Sequence, residues 1–469
     1  MDAELKSAGN ALFKAGDYAA ALAKYDEAVA INPLPVYYAN RAQCELKLEQ
    51  YGSAIETCTL ALELDPENAK CYYRRAIAYS GTVQHSKAVA DFQKVVSLQP
   101  SLAEARNRLK AAQSLARYVA FQLAIQTEDE PTIFESFDHT NLPETDGNHD
   151  FQLDLDAISD ADIERLVEYF KSGKRLPRKL CFEIVKRVSA LTELEPVMQE
   201  IDIPEGGKVT VCGDTHGQFY DLLNIFSKNG YPSSDHIYVF NGDFVDRGSW
   251  STEVALTLYI LKLKNPKSII INRGNHETDS MNTIYGFSGE CKSKYGHDYI
   301  YKAFCESFTK LPVATVVGGA YFVVHGGVAS EDAILLEDIR KIDRNNEKQP
   351  SQSGLLIELL WSDPQPLRGL APSKRGIAHM FGPDVTQRFI ERNKLRKIIR
   401  SHEVRDDGYL EEHNNQLVTV FSAPNYCDSV GNKGAYITIT PDLEMAYTQF
   451  TAVPHPNIPP MAYSSGLMR

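Results

Sequence analysis

The sequence predicts a two-part protein in which an all-α repeat region precedes an α/β domain. The first part contains three similar blocks, each of which ends in a proline after an aliphatic run, at Pro33, Pro66 and Pro100. The second part alternates short, nearly continuous apolar segments with helical patterns, which is typical of strands buried in a sheet. At 469 residues the chain is long enough for two or three domains, each with its own core.

Small residues recur at fixed distances before the three prolines, which are 33 and 34 residues apart. They stand 24, 12 and five residues before each proline, at Gly9, Ala42 and Ala76, at Ala21, Ala54 and Ala88, and at Ala28, Ala61 and Val95. Such residues allow two helices to approach closely, and the pattern resembles the tetratricopeptide repeat, a pair of antiparallel helices. We expect repeats at about 2–33, 34–67 and 68–101, with a capping helix completing a domain over 1–125.

An acidic segment follows the predicted repeats. Residues 118–164 contain 13 Asp or Glu and neither Lys nor Arg. The remaining 49 acidic residues equal the 49 basic ones, so this segment carries the whole net charge of −13. Its Pro, Gly and Asn residues favour an exposed linker, which we place at 126–160. Because no basic stripe remains elsewhere, the sequence gives no support for nucleic-acid binding.

Polar clusters follow the predicted strands of the α/β domain. Six segments each consist of an apolar run that finishes in such a cluster: K-V-T-V-C-G-D-T-H-G, H-I-Y-V-F-N-G-D-F-V-D-R-G, S-I-I-I-N-R-G-N-H-E, A-Y-F-V-V-H-G-G, K-I-I-R-S-H-E and V-T-V-F-S-A-P-N-Y. Helical patterns, such as that of residues 252–264, lie between them. This alternation predicts a buried, mixed sheet with ligands at the carboxyl ends of its strands.

The clusters contain six potential metal ligands: Asp214, His216, Asp243, Asn275, His325 and His402. Carboxylate, imidazole and amide ligands without thiolate suit first-row divalent ions such as Mn²⁺, Fe²⁺ or Zn²⁺. Asp214 and His216 are alternate residues of an extended segment and could chelate one ion. Asn275, His325 and His402 could hold a second ion, with Asp243 bridging the two ions. Any one of these residues alone is more often structural, so the hypothesis depends on the coincidence of the clusters.

Six motifs together resemble the signature of the PPP-family serine/threonine protein phosphatases. They are G-D-T-H-G (213–217), G-D-F-V-D-R-G (242–248), G-N-H-E (274–277), H-G-G (325–327), R-S-H-E (400–403) and S-A-P-N-Y-C (422–427). A tetratricopeptide domain ahead of such a catalytic domain is similar to one branch of the family. The resemblance implies a calcineurin-like metallophosphoesterase fold, a central mixed β-sandwich flanked by helices, over 161–455, and a short tail at 456–469.

The resemblance also implies the metal sites. One ion would be bound by Asp214, His216 and Asp243, and the other by Asp243, Asn275, His325 and His402. The expected ions are Mn²⁺ or iron (Fe²⁺ or Fe³⁺), with Zn²⁺ and Mg²⁺ as alternatives. The implied reaction is hydrolysis of phosphoserine and phosphothreonine monoesters by direct attack of a hydroxide that bridges the two metals.

Other motif residues would act on the substrate. His276, oriented by Asp246, would be the general acid that protonates the leaving alkoxide. The substrate phosphate would be contacted by Arg247, Asn275, Arg375 and Tyr426, because guanidinium groups bind phosphate oxygens in a bidentate manner.

A second set of residues lies in the predicted groove of the repeats. Lys6 and Asn10 are four residues apart, as are Lys70 and Arg74, so each pair shares a helix face. With Asn40 they resemble the carboxylate clamp by which such domains hold the acidic C-terminal peptide of heat-shock chaperones of the ninety- and seventy-kilodalton classes. Two amides and three cations suit a terminal carboxylate and an aspartate side chain. Ordinary solvated surface residues are the alternative.

In this family the repeat domain also covers the catalytic cleft and keeps basal activity low, with help from a C-terminal helix. Here the sequence ends in S-S-G-L-M-R, and a short segment with Gly is a poor helix former. We therefore expect an autoinhibitory repeat domain and leave the contribution of the tail open.

The eight scattered cysteines include no C-x-x-C pair, which favours reduced thiols. The N-terminus lacks signal-peptide features, and no apolar segment reaches the roughly 20 residues that cross a bilayer. We expect a cytoplasmic monomer, with the nucleus as a further location. Two other functions stay open: a dimetal hydrolase of nucleotides or small molecules, and a chaperone-binding scaffold with weak or no phosphatase activity.

Overall fold

The computed structural model describes residues 1–82, 84–125, 131–147, 149–329, 334–350 and 353–464, without the side chains of 118–125. These residues form two compact units. Unit 1 holds residues 1–125 and 372–378, and unit 2 holds residues 131–371 and 379–464. Residues 126–130 of the predicted linker and 465–469 of the predicted tail lie outside the described residues.

Unit 1 is a series of helix pairs. Its helices are α1 (Asp2–Lys14), α2 (Tyr18–Ile31), α3 (Pro35–Lys47), α4 (Tyr51–Leu64), α5 (Ala69–Gly81), α6 (His85–Leu98) and α7 (Ala103–Ile125). Gly9 shows why small residues recur, because a Cβ added there would lie 2.9 Å from the Tyr25 ring of the paired helix. Each of the first three pairs falls within one predicted repeat, so the repeat architecture is confirmed.

Unit 2 is built on two packed β-sheets. Its strands are β1 (Met198–Ile201), β2 (Lys208–Cys212), β3 (His236–Asn241), β4 (Ile269–Asn272), β5 (Ala314–Val317), β6 (Tyr321–Val324), β7 (Asp363–Pro364), β8 (Leu370–Pro372), β9 (His379–Phe381), β10 (Lys397–Arg400), β11 (Tyr409–Glu412), β12 (Leu417–Val420), β13 (Gly434–Ile439) and β14 (Met445–Phe450). The six-stranded sheet has the order β1-β5-β6-β10-β12-β11, and the five-stranded sheet has the order β14-β13-β2-β3-β4. A small third sheet has the order β7-β9-β8.

The helices of unit 2 flank these sheets. They are α8 (Ile133–Ser136), α9 (Asp160–Lys171), α10 (Arg178–Glu193), α11 (Phe219–Asn229), α12 (Ser251–Lys264), α13 (Asp279–Tyr285), α14 (Phe287–Tyr295), α15 (Asp298–Thr309), α16 (Leu336–Arg340), α17 (Leu355–Trp361) and α18 (Pro383–Asn393), with 3₁₀ turns at His139–Asn141 and Tyr426–Asp428. The predicted α/β class, a mixed sandwich with flanking helices, is therefore confirmed.

Parallel strands bring the polar clusters to one edge. Strands β2, β3 and β4 are parallel neighbours, and so are β6, β10 and β12. An isolated parallel bridge between Asp214 and Phe421 aligns the end of β2 with the end of β12, which belongs to the other sheet. Since carboxyl ends of parallel strands meet at one edge, the loops after six strands converge there.

Aliphatic side chains fill the space between the two sheets. Val211 and Val239 of one sheet pack in the same cluster as Val323, Ile399 and Val418 of the other, and all are fully buried. Burial of such a side chain contributes roughly 1.5–3 kcal/mol. The sandwich core therefore supplies a rigid base for the loops at its edge.

The acidic segment differs from the exposed linker that we expected. Residues 131–147 and 149–160 belong to unit 2, where Phe151 is 5% exposed and packs in the main core cluster. Phe137 stacks on Tyr299 with ring centroids 4.4 Å apart, and Asp146 pairs with Arg175 at 2.7 Å. Apolar residues scattered among the acids give this segment enough surface to bury. Unit 2 therefore begins before residue 161, and it also includes residues 456–464, which we had assigned to a tail.

None of the described helices combines the length and apolar character that crossing a bilayer requires. No disulfide joins the eight cysteines, all of which lie within the described residues.

Candidate active site

The six predicted metal ligands lie in loops at the shared edge of the two sheets. Asp214 and His216 follow β2, Asp243 follows β3, Asn275 follows β4, His325 follows β6 and His402 follows β10. All six residues are buried, and the most exposed of them is only 7% exposed. The structure therefore brings together residues that are up to 188 positions apart in sequence, as in the bond from the His402 backbone N–H to Asp214 Oδ1 (3.1 Å).

Asp243 lies between the two groups of ligands. Its Oδ2 is 3.6 Å from His216 Nε2 and 3.3 Å from His325 Nε2. Asp214 Oδ2 lies 3.7 Å from the same His216 nitrogen. The Asp243 carboxylate belongs to two groups of candidate metal ligands. One group also contains His216 and His276, and the other also contains His325 and His402. This is the arrangement that a bridging ligand requires.

Backbone carbonyls orient two of the imidazoles. His216 Nδ1 donates to the carbonyl of Val245 at 3.0 Å, and His325 Nδ1 donates to that of Asn241 at 2.8 Å. In a neutral imidazole this leaves Nε2 with a lone pair. Both lone pairs are directed towards the Asp243 carboxylate, as in metal-ligating histidines whose other nitrogen is held by the protein.

The donor set fits a cation. His325 Nε2 lies 2.9 Å from Asn275 Oδ1, 3.1 Å from His402 Nδ1 and 3.3 Å from Asp243 Oδ2. Because the His325 proton is held at Nδ1, several ligand atoms converge on a nitrogen that cannot donate to them. A divalent ion shared by these atoms satisfies all of them, and the mixture of imidazole, carboxylate and amide suits a first-row metal.

Burial disfavours the charged forms of the ionisable side chains in this site. It raises the pKa of Asp214 to about 8 and that of Glu277 to about 8, and it lowers the pKa of His216 well below its ordinary value. The same cause lowers the pKa of His325. A bound cation would favour ionised carboxylates and neutral imidazoles here.

Glu277 supports the site in a way that the sequence did not indicate. Its Oε2 accepts hydrogen bonds from the backbone N–H groups of Asp243 (2.8 Å) and Gly274 (2.7 Å), and its Oε1 accepts one from Phe244 (3.0 Å). One buried carboxylate thus joins the loop after β3 to the loop after β4. Its position directly after Asn275 and His276 was the only available signal.

His276 forms a dyad with Asp246. His276 Nδ1 lies 2.8 Å from Asp246 Oδ2, and that carboxylate also accepts hydrogen bonds from Asn282 Nδ2 (2.9 Å) and the Phe287 backbone N–H (2.8 Å). Burial raises the pKa of Asp246 to about 7. The His276 ring packs against Tyr285, with centroids 5.0 Å apart. The contact with Asp246 and the packing against Tyr285 therefore fix the orientation of the ring.

Several site residues adopt left-handed backbone conformations. The φ angle is +40° at His216, +49° at Asp243, +69° at Asp246, +66° at Arg247 and +72° at His402. Such conformations in non-glycine residues cost of order 1–3 kcal/mol each and cluster at functional sites. Gly274 allows the close approach of these loops, because a Cβ there would lie 2.4 Å from the Asp243 backbone nitrogen and clash with the side chain.

The three predicted phosphate-binding side chains outside the metal ligands have different positions. Arg247 is 7% exposed, and its guanidinium lies 3.9 Å from the centroid of the Tyr285 ring. The Tyr426 ring lies 5.3 Å from that of His216. Arg375 belongs to residues 372–378 of unit 1, so the structure does not group it with the others, and its role stays a prediction.

The predicted carboxylate clamp lies on the first helix of each pair in unit 1. Asn10 Oδ1 lies 3.4 Å from Asn40 Nδ2 and accepts a hydrogen bond from the Tyr25 hydroxyl at 2.7 Å. Arg74 donates from Nε to Gln43 at 2.8 Å. Lys6 lies on α1, and Lys70 is exposed at the start of α5. The two asparagines are thus brought together, while Arg74 is partly engaged by α3.

Comparison with known families agrees with this geometry. Residues 207–406 match the calcineurin-like phosphoesterase family. Residues 36–68 and 69–102 match the tetratricopeptide repeat, and residues 109–200 match the model described as the PPP5 TPR repeat region.

Similar proteins cover nearly the whole chain. A serine/threonine-protein phosphatase T from Aspergillus oryzae is 49% identical over 98% of this chain and 96% of its own length. Human serine/threonine-protein phosphatase 5 is 45% identical over 99% of this chain and 93% of its own length. A solved structure of a protein serine/threonine phosphatase from Saccharomyces cerevisiae is 48% identical, covers 65% of this chain and all of that chain, and has a TM-score of 0.63. The chain belongs to the family of serine/threonine-protein phosphatases 5 and T, in which tetratricopeptide repeats precede a calcineurin-like phosphoesterase domain.

Proposed function

We propose that unit 2 hydrolyses phosphoserine and phosphothreonine monoesters in proteins, with two divalent metal ions. The observation that carries this proposal is the position of Asp243, whose Oδ2 lies within 3.6 Å of a histidine nitrogen on either side. Asp214 and His216 would hold one ion with Asp243, and the remaining three ligands would hold the other. When bound, two such ions activate water and offset the charge of a phosphoryl group.

The other residues of the chain would position the substrate and move one proton. Arg247 would bind two phosphate oxygens through its planar guanidinium. His276 would donate its Nε2 proton to the oxygen of the leaving serine or threonine, since an alkoxide is a poor leaving group. Asp246 fixes the orientation of His276 through the 2.8 Å contact at Nδ1.

Metal content and substrate class test the proposal together. We expect the purified full chain to contain close to two divalent ions and to hydrolyse a phosphoserine peptide much faster than an aryl phosphodiester. Elemental analysis and parallel rate measurements check this, with manganese, iron, zinc and magnesium each supplied to the metal-free protein. A preference for the phosphodiester, or no turnover with any metal, would contradict it.

We further propose that unit 1 binds the acidic C-terminal peptide of heat-shock chaperones of the ninety- and seventy-kilodalton classes. The proximity of Asn10 and Asn40 and the exposed ammonium group of Lys70 support a receptor for two carboxylates. Lys70→Glu should abolish binding of such a peptide, because it places a like charge beside its carboxylates. Lys94→Glu, on the second helix of the same pair, is the matched control. Equal binding by both variants in calorimetry would reject the clamp.

Unit 1 is also proposed to restrain the activity of unit 2, as the family resemblance implies. The full chain should then be slower towards a phosphopeptide than the chain that begins at residue 131, and a chaperone-type acidic peptide should relieve the difference. Equal rates for the two proteins would count against restraint.

A further inference from the structure

The last described residues of unit 2 lie across the loop that holds Arg247. Residues 453–464, here called the C-terminal strap, follow β14 and contain no strand or long helix. Four hydrogen bonds tie the strap to the rest of the unit: Val453 N–H to Asp221 Oδ1 (2.9 Å), His455 Nε2 with Asp428 Oδ1 (3.0 Å), Ser249 Oγ to the Pro459 carbonyl (2.7 Å) and Met461 N–H to the Arg247 carbonyl (2.7 Å). The last two end on the loop of residues 247–249.

The bond between Met461 and Arg247 joins two unusual backbone conformations. The φ angle is +53° at Met461 and +66° at Arg247, and neither residue is glycine. L-residues reach this left-handed region only at a cost, so the surroundings must hold them there. A 2.7 Å backbone hydrogen bond between the two residues is a direct means of holding both.

Arg247 is fixed from a second side by Tyr285. The Arg247 backbone N–H donates to the Tyr285 carbonyl at 3.2 Å, and the guanidinium lies 3.9 Å from the centroid of the Tyr285 ring. The amide of Arg247 thus depends on Tyr285, and its carbonyl depends on the strap. If the strap moved away, the Arg247 carbonyl would lose the bond from the Met461 N–H, whereas the Gly248 N–H of the same peptide would keep its bond to the His216 carbonyl (2.8 Å). The direction of the guanidinium would then be less firmly fixed.

We propose that the C-terminal strap is a positioning element for the phosphate site. Through the Met461 N–H and the Pro459 carbonyl, it holds residues 247–249 in the conformation in which Arg247 can contact the phosphate of the substrate. Met461 and Pro459 are positioning residues, because they act through Arg247 and touch no reacting atom. The inference rests on the proposed phosphatase function and adds a determinant of phosphate affinity that lies outside the six sequence motifs.

Gly289 offers a way to move the strap without changing Arg247 or a metal ligand. It lies on α14, and a Cβ added there would clash with the backbone carbonyl of Tyr463 in the strap. The α-helical position of Gly289 accepts alanine, which also has the higher helix propensity. Gly289→Ala should therefore displace the strap while leaving the helix intact. Ser293→Ala, at an exposed position of the same helix, is the matched control.

A double-mutant cycle on phosphate affinity tests the proposal. The dissociation constant of inorganic phosphate is measured by calorimetry on the metal-loaded full chain for the wild type, Gly289→Ala, Arg247→Ala and the double variant. We expect Gly289→Ala to weaken phosphate binding about five- to tenfold in the wild type, the size of one typical lost hydrogen bond, and by less than about twofold when Arg247 is absent. Equal effects in both backgrounds, or none in either, would overturn the proposal.

Two further measurements keep the result interpretable. If Gly289→Ala does not fold, Ser249→Ala removes the 2.7 Å bond to Pro459 and enters the same cycle, with the same expected coupling and smaller effects. Phosphopeptide turnover and metal content of the wild type are recorded in parallel. A wild type that binds metal but does not hydrolyse the phosphopeptide rejects the proposed function, whereas an active wild type with additive effects rejects only the role of the strap.

Discussion

Asn275 and His276 are adjacent in the sequence, but their side chains contact different parts of the site. Asn275 Oδ1 lies 2.9 Å from His325 Nε2, among the metal-ligand candidates. His276 Nδ1 lies 2.8 Å from Asp246, and its ring packs against Tyr285. The two residues lie in a turn after β4, and their side chains point in different directions, so one short loop can serve both metal binding and proton transfer.

His276→Ala should separate these two tasks. We expect kcat for a phosphopeptide to fall by about 10²- to 10⁴-fold, because the leaving oxygen loses its proton donor. The metal content should remain that of the wild type, since the six predicted ligands are unchanged. Rate measurements and elemental analysis check both statements, with His297→Ala as an exposed histidine control. Loss of metal from His276→Ala would mean that this residue is a ligand.

Glu277→Gln should loosen the metal site without removing a ligand. The amide keeps the shape of the carboxylate but weakens three hydrogen bonds from backbone N–H groups and turns one oxygen into a donor. We expect the free energy of unfolding to fall by roughly 1–3 kcal/mol and metal to be lost faster to a chelator. Thermal unfolding and timed chelation measure this, with the exposed Glu168→Gln as control. Metal loss at the wild-type rate would refute the supporting role of Glu277.

At the scale of elements, the sequence predicted most of the helices and strands that form the site. Strands buried on both faces of a parallel sheet appear in a sequence as nearly continuous apolar runs. Such runs, each followed by a polar cluster, predicted the positions of β2, β3, β4, β6, β10 and β12. The three prolines located the helix pairs of unit 1. These features depend on local periodicity, which a single sequence displays directly.

Features that depend on tertiary contacts were not predictable in the same way. The packing of residues 131–160 was missed because 13 acidic residues dominated the composition of the wider segment and hid the scattered Phe and Leu residues. The left-handed conformations of His216 and Asp243 were also missed, since no pattern in one sequence specifies a positive φ angle at non-glycine residues. The task of Glu277 depends on backbone groups of another loop, which only the folded chain brings near.

The acidic segment leads to a prediction about the boundary of unit 2. A chain that begins at residue 161 lacks Phe137 and Phe151, each of which packs on the core of unit 2, and it lacks Asp146, which pairs with Arg175. Burial of each aromatic side chain contributes roughly 1.5–3 kcal/mol, so this chain should unfold roughly 10 °C or more below a chain that begins at residue 131. Thermal denaturation of both chains measures the difference. Equal midpoints would show that residues 131–160 are dispensable.

At the scale of the whole molecule, each unit contains a buried histidine that opposes protonation. Burial lowers the pKa of His85 in unit 1 to about 4 and that of His236 in unit 2 to about 4. Well above pH 6.5 both residues are neutral in the folded and unfolded chains, so they add no pH dependence there. Between pH 6.5 and 4 the unfolded chain takes up these protons and the folded chain does not, so each histidine contributes a loss of stability as the pH falls.

His85→Gln and His236→Gln should therefore reduce the acid sensitivity of their own units. Each histidine accounts for a loss of up to about 3 kcal/mol between pH 7 and 4. Urea unfolding at pH 7.5 and pH 5 gives the free energy of unfolding of the wild type and of each variant, and the effect is the difference between these two free energies. That difference should shrink or change sign at the lower pH for each variant. A difference that does not change with pH would rule out the histidine as the cause.

The joining of two sheets at one edge also determines when the site can first exist during synthesis. Asp214 emerges from the ribosome long before His402, and the bond between them spans 188 residues. The six-stranded sheet needs β10 and β12 before the loops of the other sheet meet their partners. A nascent chain that stops before β10 holds five of the six ligands and lacks His402. Translation of about the last sixth of the chain, from residue 397, therefore separates an inert nascent polypeptide from one that can assemble a catalytic centre.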